Sequence, residues 1–144
     1  MAHGGRVVRV YRVQATDGRG PWRPGFSKTW IDGSAPAGRL AQNIFDLISA
    51  RTLQALPRDL HYGCACRTFD QLLDWFTPVE YVNLQKLGYY PVTLAIDTII
   101  VESDWQMLVG RERHFSEGAS RLSWPQVSRQ QAAQPLPVPT GAVK

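Results

Sequence analysis

A chain of 144 residues, 44% hydrophobic and 19% charged, has the size and composition of one globular domain that buries its core without disulfides or metal. Its two cysteines, Cys64 and Cys66, lie one residue apart and exclude a disulfide framework. No apolar run approaches the roughly 18 residues of a membrane helix, and Met1–Arg6 lacks the apolar core of a secretory signal, so a cytoplasmic protein is expected. The net charge of +4 comes from arginines scattered singly, which suits a basic solvated surface better than a duplex-binding face.

Taken in chain order, Arg6–Gln14 reads as a strand, dense in β-branched and aromatic residues and carrying Arg12 near its end. Three glycines and two prolines in Asp17–Gly25 then exclude regular structure and predict a shaped surface loop. Arg19 and Arg23, separated by Gly20-Pro21-Trp22, suit a phosphate clamp with Trp22 stacking on a base, and Ser27 and Trp30 continue the same wall. A polar loop whose tryptophan covers the core edge fits these residues equally well. Leu40, Ala41, Ile44, Phe45, Leu47 and Ile48 recur at helical spacing and predict a helix from Gly38 to Ala50, followed by a connector or short helical turn to Leu60.

Thr68 followed by Gln71 has the spacing of a capping box and predicts a helix from Phe69 to Phe76. Thr77-Pro78-Val79-Glu80 repeats that signal with proline at the first helical position, and Gly88 supplies a left-handed stop. Tyr89–Ile96, Thr98–Val101 and Trp105–Gly110 read as sheet strands. From Ser123 onward Gln, Ala, Pro and Val dominate, so the reading is one globular domain over 1–122 and a flexible tail over 123–144.

His61, Cys64 and Cys66 offer three zinc-ligand types with His114 as a fourth, but Cys-x-Cys is tighter than structural zinc spacing. Buried structural thiols are therefore favoured and no metal is expected. Cys66 near a helix start could serve as a nucleophile, although no matching His and Asx pair accompanies it.

The order of strand with arginine, glycine-rich loop, helix, Gly63-Cys64-Ala65-Cys66-Arg67-Thr68, two helices, and strands bearing Glu102-Ser103-Asp104-Trp105-Gln106-Met107-Leu108 resembles the ADP-ribosyltransferase superfold over residues 8–112. The resemblance implies a small α+β fold with a split antiparallel or mixed sheet, three helices and NAD held across the split. It puts Arg12 on the pyrophosphate or ribose, Thr68 on the ribose side, and Gln106 with Asp104 at the scissile glycosidic bond. Arg19, Trp22, Arg23 and Ser27 complete the cofactor wall.

The family's glutamate is replaced by Gln106, whose amide can bond a ribose hydroxyl but cannot offset positive charge as nicotinamide leaves. On residue chemistry alone, the favoured readings are an exposed strand arginine paired with a carboxylate for Arg12 and a helix cap for Thr68. The implied function is NAD or related nucleotide binding, with mono-ADP-ribosyl transfer to a macromolecule as the implied reaction. Arg12→Ala and Gln106→Ala are then expected to fold but lose nucleotide. The alternative is a non-catalytic phage or mobile-element protein that binds and inhibits a host protein in the host cytoplasm. Specific nucleic-acid binding is not expected, since no RNP, zinc-finger or helix-turn-helix pattern is present.

Overall fold

β-Branched and aromatic side chains draw the N-terminal segment into β1 (Val8–Gln14) in the computed structural model, which describes residues 7–21, 27–31, 48–104 and 106–127. Its antiparallel partner over the full length is β3 (Tyr90–Ile96), in a register running from Val8 opposite Ile96 to Gln14 opposite Tyr90. The two-residue β6 (Ser120–Arg121) adds to the outer side of β3.

A second antiparallel sheet has the order β2-β5-β4, from β2 (His61–Ala65), β5 (Met107–Arg111) and β4 (Thr98–Glu102), with a bulge between Ile99 and Val101. The chain steps from β3 to β4 through Asp97 alone, which ties the sheets together covalently. They are also joined by one bridge, in which Tyr11 N–H donates to Cys66 O at 2.9 Å and Cys66 N–H to Tyr11 O at 2.7 Å. No ladder joins β1 to β2 on either side of that bridge among the described residues, so the sheet is split there.

Strand alternation divides the apolar side chains between two cores. Val10, Val92, Leu94 and Ile96 of the first sheet and Ala65, Met107 and Val109 of the second meet around Phe115. On the opposite side, Val13 and Cys66 pack with Trp30, Leu72, Phe76, Leu84, Tyr89 and Trp124. Each fully buried side chain of this size contributes about 1.5–3 kcal/mol, which makes these two clusters the main support of the fold.

Three α-helices are present among the described residues: α1 (Ala50–Gln54), α2 (Phe69–Leu73) and α3 (Pro78–Lys86). α3 starts in a complete capping box between Thr77 and Glu80 with proline in its first turn. It ends in a Schellman motif: Tyr89 N–H reaches Leu84 O at 2.9 Å, Gly88 N–H reaches Gln85 O at 3.1 Å, and Gly88 takes φ +88°. None of these helices is long and apolar enough to cross a membrane.

Several expectations are corrected. The helix expected over Gly38–Ala50 lies mostly outside the described residues, and it does not run to Ala50. Ser49 is extended (φ −70°, ψ 155°) and caps α1, its oxygen accepting from Thr52 N–H. The helix expected to reach Phe76 stops at Leu73, because Thr77 must become extended to cap α3. His61–Ala65, not read as a strand from the sequence, is strand β2, its conformation imposed by pairing with β5 from His61 opposite Arg111 to Ala65 opposite Met107. Packed structure also extends past residue 122, since Trp124 is 7% exposed and its indole N–H donates to Tyr89 O at 2.8 Å.

Candidate functional site

Alternation along β1 places Arg12 on the same face as Val8 and Val10, beside the split, where it is 7% exposed. Its Nε donates to Cys64 O across the split at 3.3 Å. Its Nη1 donates to Gly18 O at 2.9 Å and to Gln14 Oε1. Gln14 is held in turn by a 3.0 Å bond from its amide to Phe115 O. The guanidinium lies 4.4 Å from the Phe115 ring centroid, a cation–π contact inside the core.

Two glycines permit this placement. A Cβ on Gly63 would sit 2.9 Å from Phe115 Cε2 and 3.0 Å from Arg12 Nη2, and one on Gly20 would sit 3.2 Å from Nη2. No carboxylate pairs with Arg12 among the described residues, and Nη2 has no hydrogen-bond acceptor among them. Burial therefore lowers its pKa to about 10, with Cys64 acting the other way and Arg111 adding repulsion. Arg111 shapes the opposite wall: its donors reach Ala95 O, Arg113 O, His114 O and Glu117 O, fixing the loop that carries Phe115.

The segment between β2 and α2 is fastened to the turn between β4 and β5. Thr68 is extended (φ −129°, ψ 158°) and its hydroxyl oxygen accepts from Gln71 N–H at 3.0 Å, so it serves as the α2 cap. The reciprocal half of the expected capping box is replaced by two other bonds of Gln71. Its Oε1 accepts from Arg67 N–H at 2.9 Å and its Nε2 donates to Asp104 O at 2.8 Å. Arg67 also makes a bidentate pair with Glu102, at 2.7 and 2.9 Å, which raises the Arg67 pKa.

Asp104 and Gln106 lie in this turn and not in a strand, because β5 begins at Met107. Ser103 N–H donates to Gln106 O at 2.8 Å and Gln106 N–H to Ser103 Oγ at 3.2 Å, closing the turn. Gln106, read from the sequence as part of a strand over Trp105–Gly110, thus precedes that strand. Gln106 is buried and Asp104 exposed.

The three segments singled out from the sequence therefore adjoin: β1 touches the β2–α2 junction at Tyr11–Cys66, and that junction holds the β4–β5 turn. Their side chains do not all converge, since none of the hydrogen bonds of Arg12 goes to Thr68, Asp104 or Gln106. Arg12 is buried, which corrects its reading as an exposed arginine paired with a carboxylate.

Arg19 is exposed and pairs with Asp17 at 2.6 Å, while its N–H holds the Asp17 carboxyl below the usual range. Trp22 and Arg23 lie outside the described residues, and Ser27 is described only through its backbone, at the start of a 3-10 turn, Ser27–Thr29. Trp30 is fully buried with its indole N–H on Pro21 O, so it lines core and not cleft.

Neither thiol is poised for chemistry. Burial raises the pKa of Cys64 and pushes Cys66 up to about 12, which leaves both protonated near neutrality. The His61 and His114 rings meet edge to face at 4.9 Å, but no group of three or more His, Cys, Asp or Glu is placed to hold a metal ion among the described residues. Phe115 and Gln14, the partners that fix Arg12, escaped sequence reasoning. The one available signal was Gly63, a glycine in a strand where another group approaches closely. Comparison of the chain with protein-family models, with curated proteins and with solved structures gives no match.

Proposed function

We propose that this chain binds NAD or a related nucleotide at the split between its two sheets, in the manner of an ADP-ribosyltransferase-like protein. The observation that carries the reading is Arg12: a buried guanidinium at the split, without a carboxylate partner, whose Nη2 has no acceptor among the described residues and lies against Gly20 and Gly63. A cation desolvated in this way gains most from an anionic ligand. On this reading Thr68, in the adjoining β2–α2 segment, serves the ribose side, and Asp104 and Gln106, in the β4–β5 turn, serve the scissile glycosidic bond. Gln106 brings a hydrogen-bonding amide without the charge that favours departure of nicotinamide, so binding exceeds turnover and transfer to a macromolecular acceptor is the weaker activity.

Calorimetric titration with NAD, with nicotinamide release followed in the same samples, tests this. Saturable binding with little or no release is expected. Rapid release would establish NAD-consuming chemistry in spite of Gln106. Absence of binding removes the nucleotide reading and leaves the protein-binding alternative, which a stable complex recovered with a host protein would then support.

A further inference from the structure

An open cleft adjoins Gln14, between β3, β6 and the loop that follows β1, lined in part by Gln14, Thr16, Tyr90, Val92, Ser116 and Arg121. Val92 and Arg121 are ladder partners, so the Arg121 side chain leaves the sheet on the same face as Val92. Its Cζ lies over the Tyr90 ring, 3.8 Å from the centroid, a cation–π contact that holds the guanidinium in place. Arg121 has no carboxylate partner and no hydrogen-bond acceptor among the described residues, and no residue lining the cleft is acidic. The carboxylates that flank the lining loops are engaged elsewhere: Asp17 with Arg19, and Glu117 with His114 N–H at 3.4 Å.

Gln14 is 3% exposed and both ends of its amide are used, by Arg12 and by Phe115 O, so this wall is rigid. Thr16 and Ser116 bring hydroxyls to the rim, the latter set by a 2.8 Å bond with His114 Nδ1. A forked cation fixed by this contact, flanked by hydroxyls and free of competing carboxylates, is complementary to a group with two or more equivalent oxygens.

We propose that this cleft is a binding site for an oxyanion, the carboxylate or phosphate group of a small ligand, with the Tyr90-held Arg121 as its donor. Arg12 does not line this cleft, although it holds the Gln14 wall, and nucleotide binding at the split is not required for anion binding here. Inorganic phosphate and acetate are titrated separately at constant ionic strength into the full chain, following the amide resonances of Thr16, Ser116 and Arg121. Saturable shifts with either anion are expected, phosphate alone marking a phosphate ligand and acetate alone a carboxylate. Arg121→Ala, at an exposed position, should weaken that binding about tenfold or more, the loss of one charge-assisted pair, and Tyr90→Leu should weaken it to a smaller extent. Linear, non-saturating shifts with both anions, or equal affinity in Arg121→Ala, would overturn the assignment.

Discussion

The side-chain amide of Gln71 is bonded to the main-chain carbonyl of Asp104 at 2.8 Å, joining the first turn of α2 to the turn between β4 and β5. Because Gln71 also accepts from Arg67 N–H, one side chain ties two backbone groups that otherwise have no common element. Gln71→Ala should cost about 1–2 kcal/mol, two hydrogen bonds at their usual net worth. Arg67→Ala should cost less than about 1 kcal/mol, since the Arg67–Glu102 pair is solvent-screened. Urea unfolding of both variants measures this, and a smaller loss for Gln71→Ala than for Arg67→Ala would show that the clamp carries no weight.

Arg12→Ala leaves Cys64 O, Gly18 O and Gln14 Oε1 without their donor and opens a void beside Phe115. A loss of about 3 kcal/mol or more is expected, which replaces the sequence-based expectation that this variant folds normally. Arg12→Lys keeps the charge but not the fork and should fall between the two. Thermal unfolding of the three proteins in parallel is the check; an Arg12→Ala protein as stable as its parent would mean that the guanidinium bonds contribute nothing net.

Gly63 and Gly88 should respond to alanine for different reasons. At Gly88 a Cβ meets nothing within 4 Å, and the cost is the left-handed backbone (φ +88°), about 1 kcal/mol. At Gly63 the Cβ meets Phe115 and Arg12 at 3.0 Å or closer, so overpacking of about 1–3 kcal/mol is expected, together with displacement of Arg12. Tryptophan and amide spectra separate the cases: Gly63→Ala should shift resonances around Phe115 and Gly88→Ala should leave them in place.

The raised thiol pKa values carry a pH dependence with a definite sign. Cys66 keeps its proton up to about pH 12 in the folded protein, against an ordinary thiol value of 9.0. The resulting stability is fully present below pH 9 and is lost as the pH climbs from 9 toward 12, because only the unfolded chain ionises in that window. Unfolding free energies at pH 7, 9 and 10 for the parent and Cys66→Ala report it. The parent's advantage should shrink by about 1.4 kcal/mol for each pH unit above 9, and a constant difference would place the folded thiol near its ordinary pKa.

Local chemistry was readable where it is self-contained. The Thr77–Glu80 box, the Gly88 stop and the strand at Tyr90–Ile96 need no distant partner to be recognised. What escaped depends on long-range pairing. His61–Ala65, with glycine and cysteine at its centre, has little strand character until β5 lies beside it, and the two residues of β6 have none without β3. Gln71 shows the same limit inside a correct helix start: its spacing fits a cap, while its side chain serves a turn 33 residues away. For Arg12, only the assembled split distinguishes a core guanidinium from a surface one. Trp124 sits among prolines and glutamines that composition assigns to a tail, yet it seals the second core against Phe76 and Tyr81.

The register that sets Val8 opposite Ile96 and Gln14 opposite Tyr90 also governs how this chain is born. Synthesis proceeds from the amino end, so β1 leaves the ribosome long before its ladder partner exists. Closing so wide a loop makes sheet formation slow and late, and until then a segment rich in valine with unpaired backbone groups is free to associate with other nascent chains. Yield on expression should therefore depend on the rate at which residues 90–96 follow the first strand, and a chain arrested before Tyr90 is the form most exposed to aggregation and to chaperone capture.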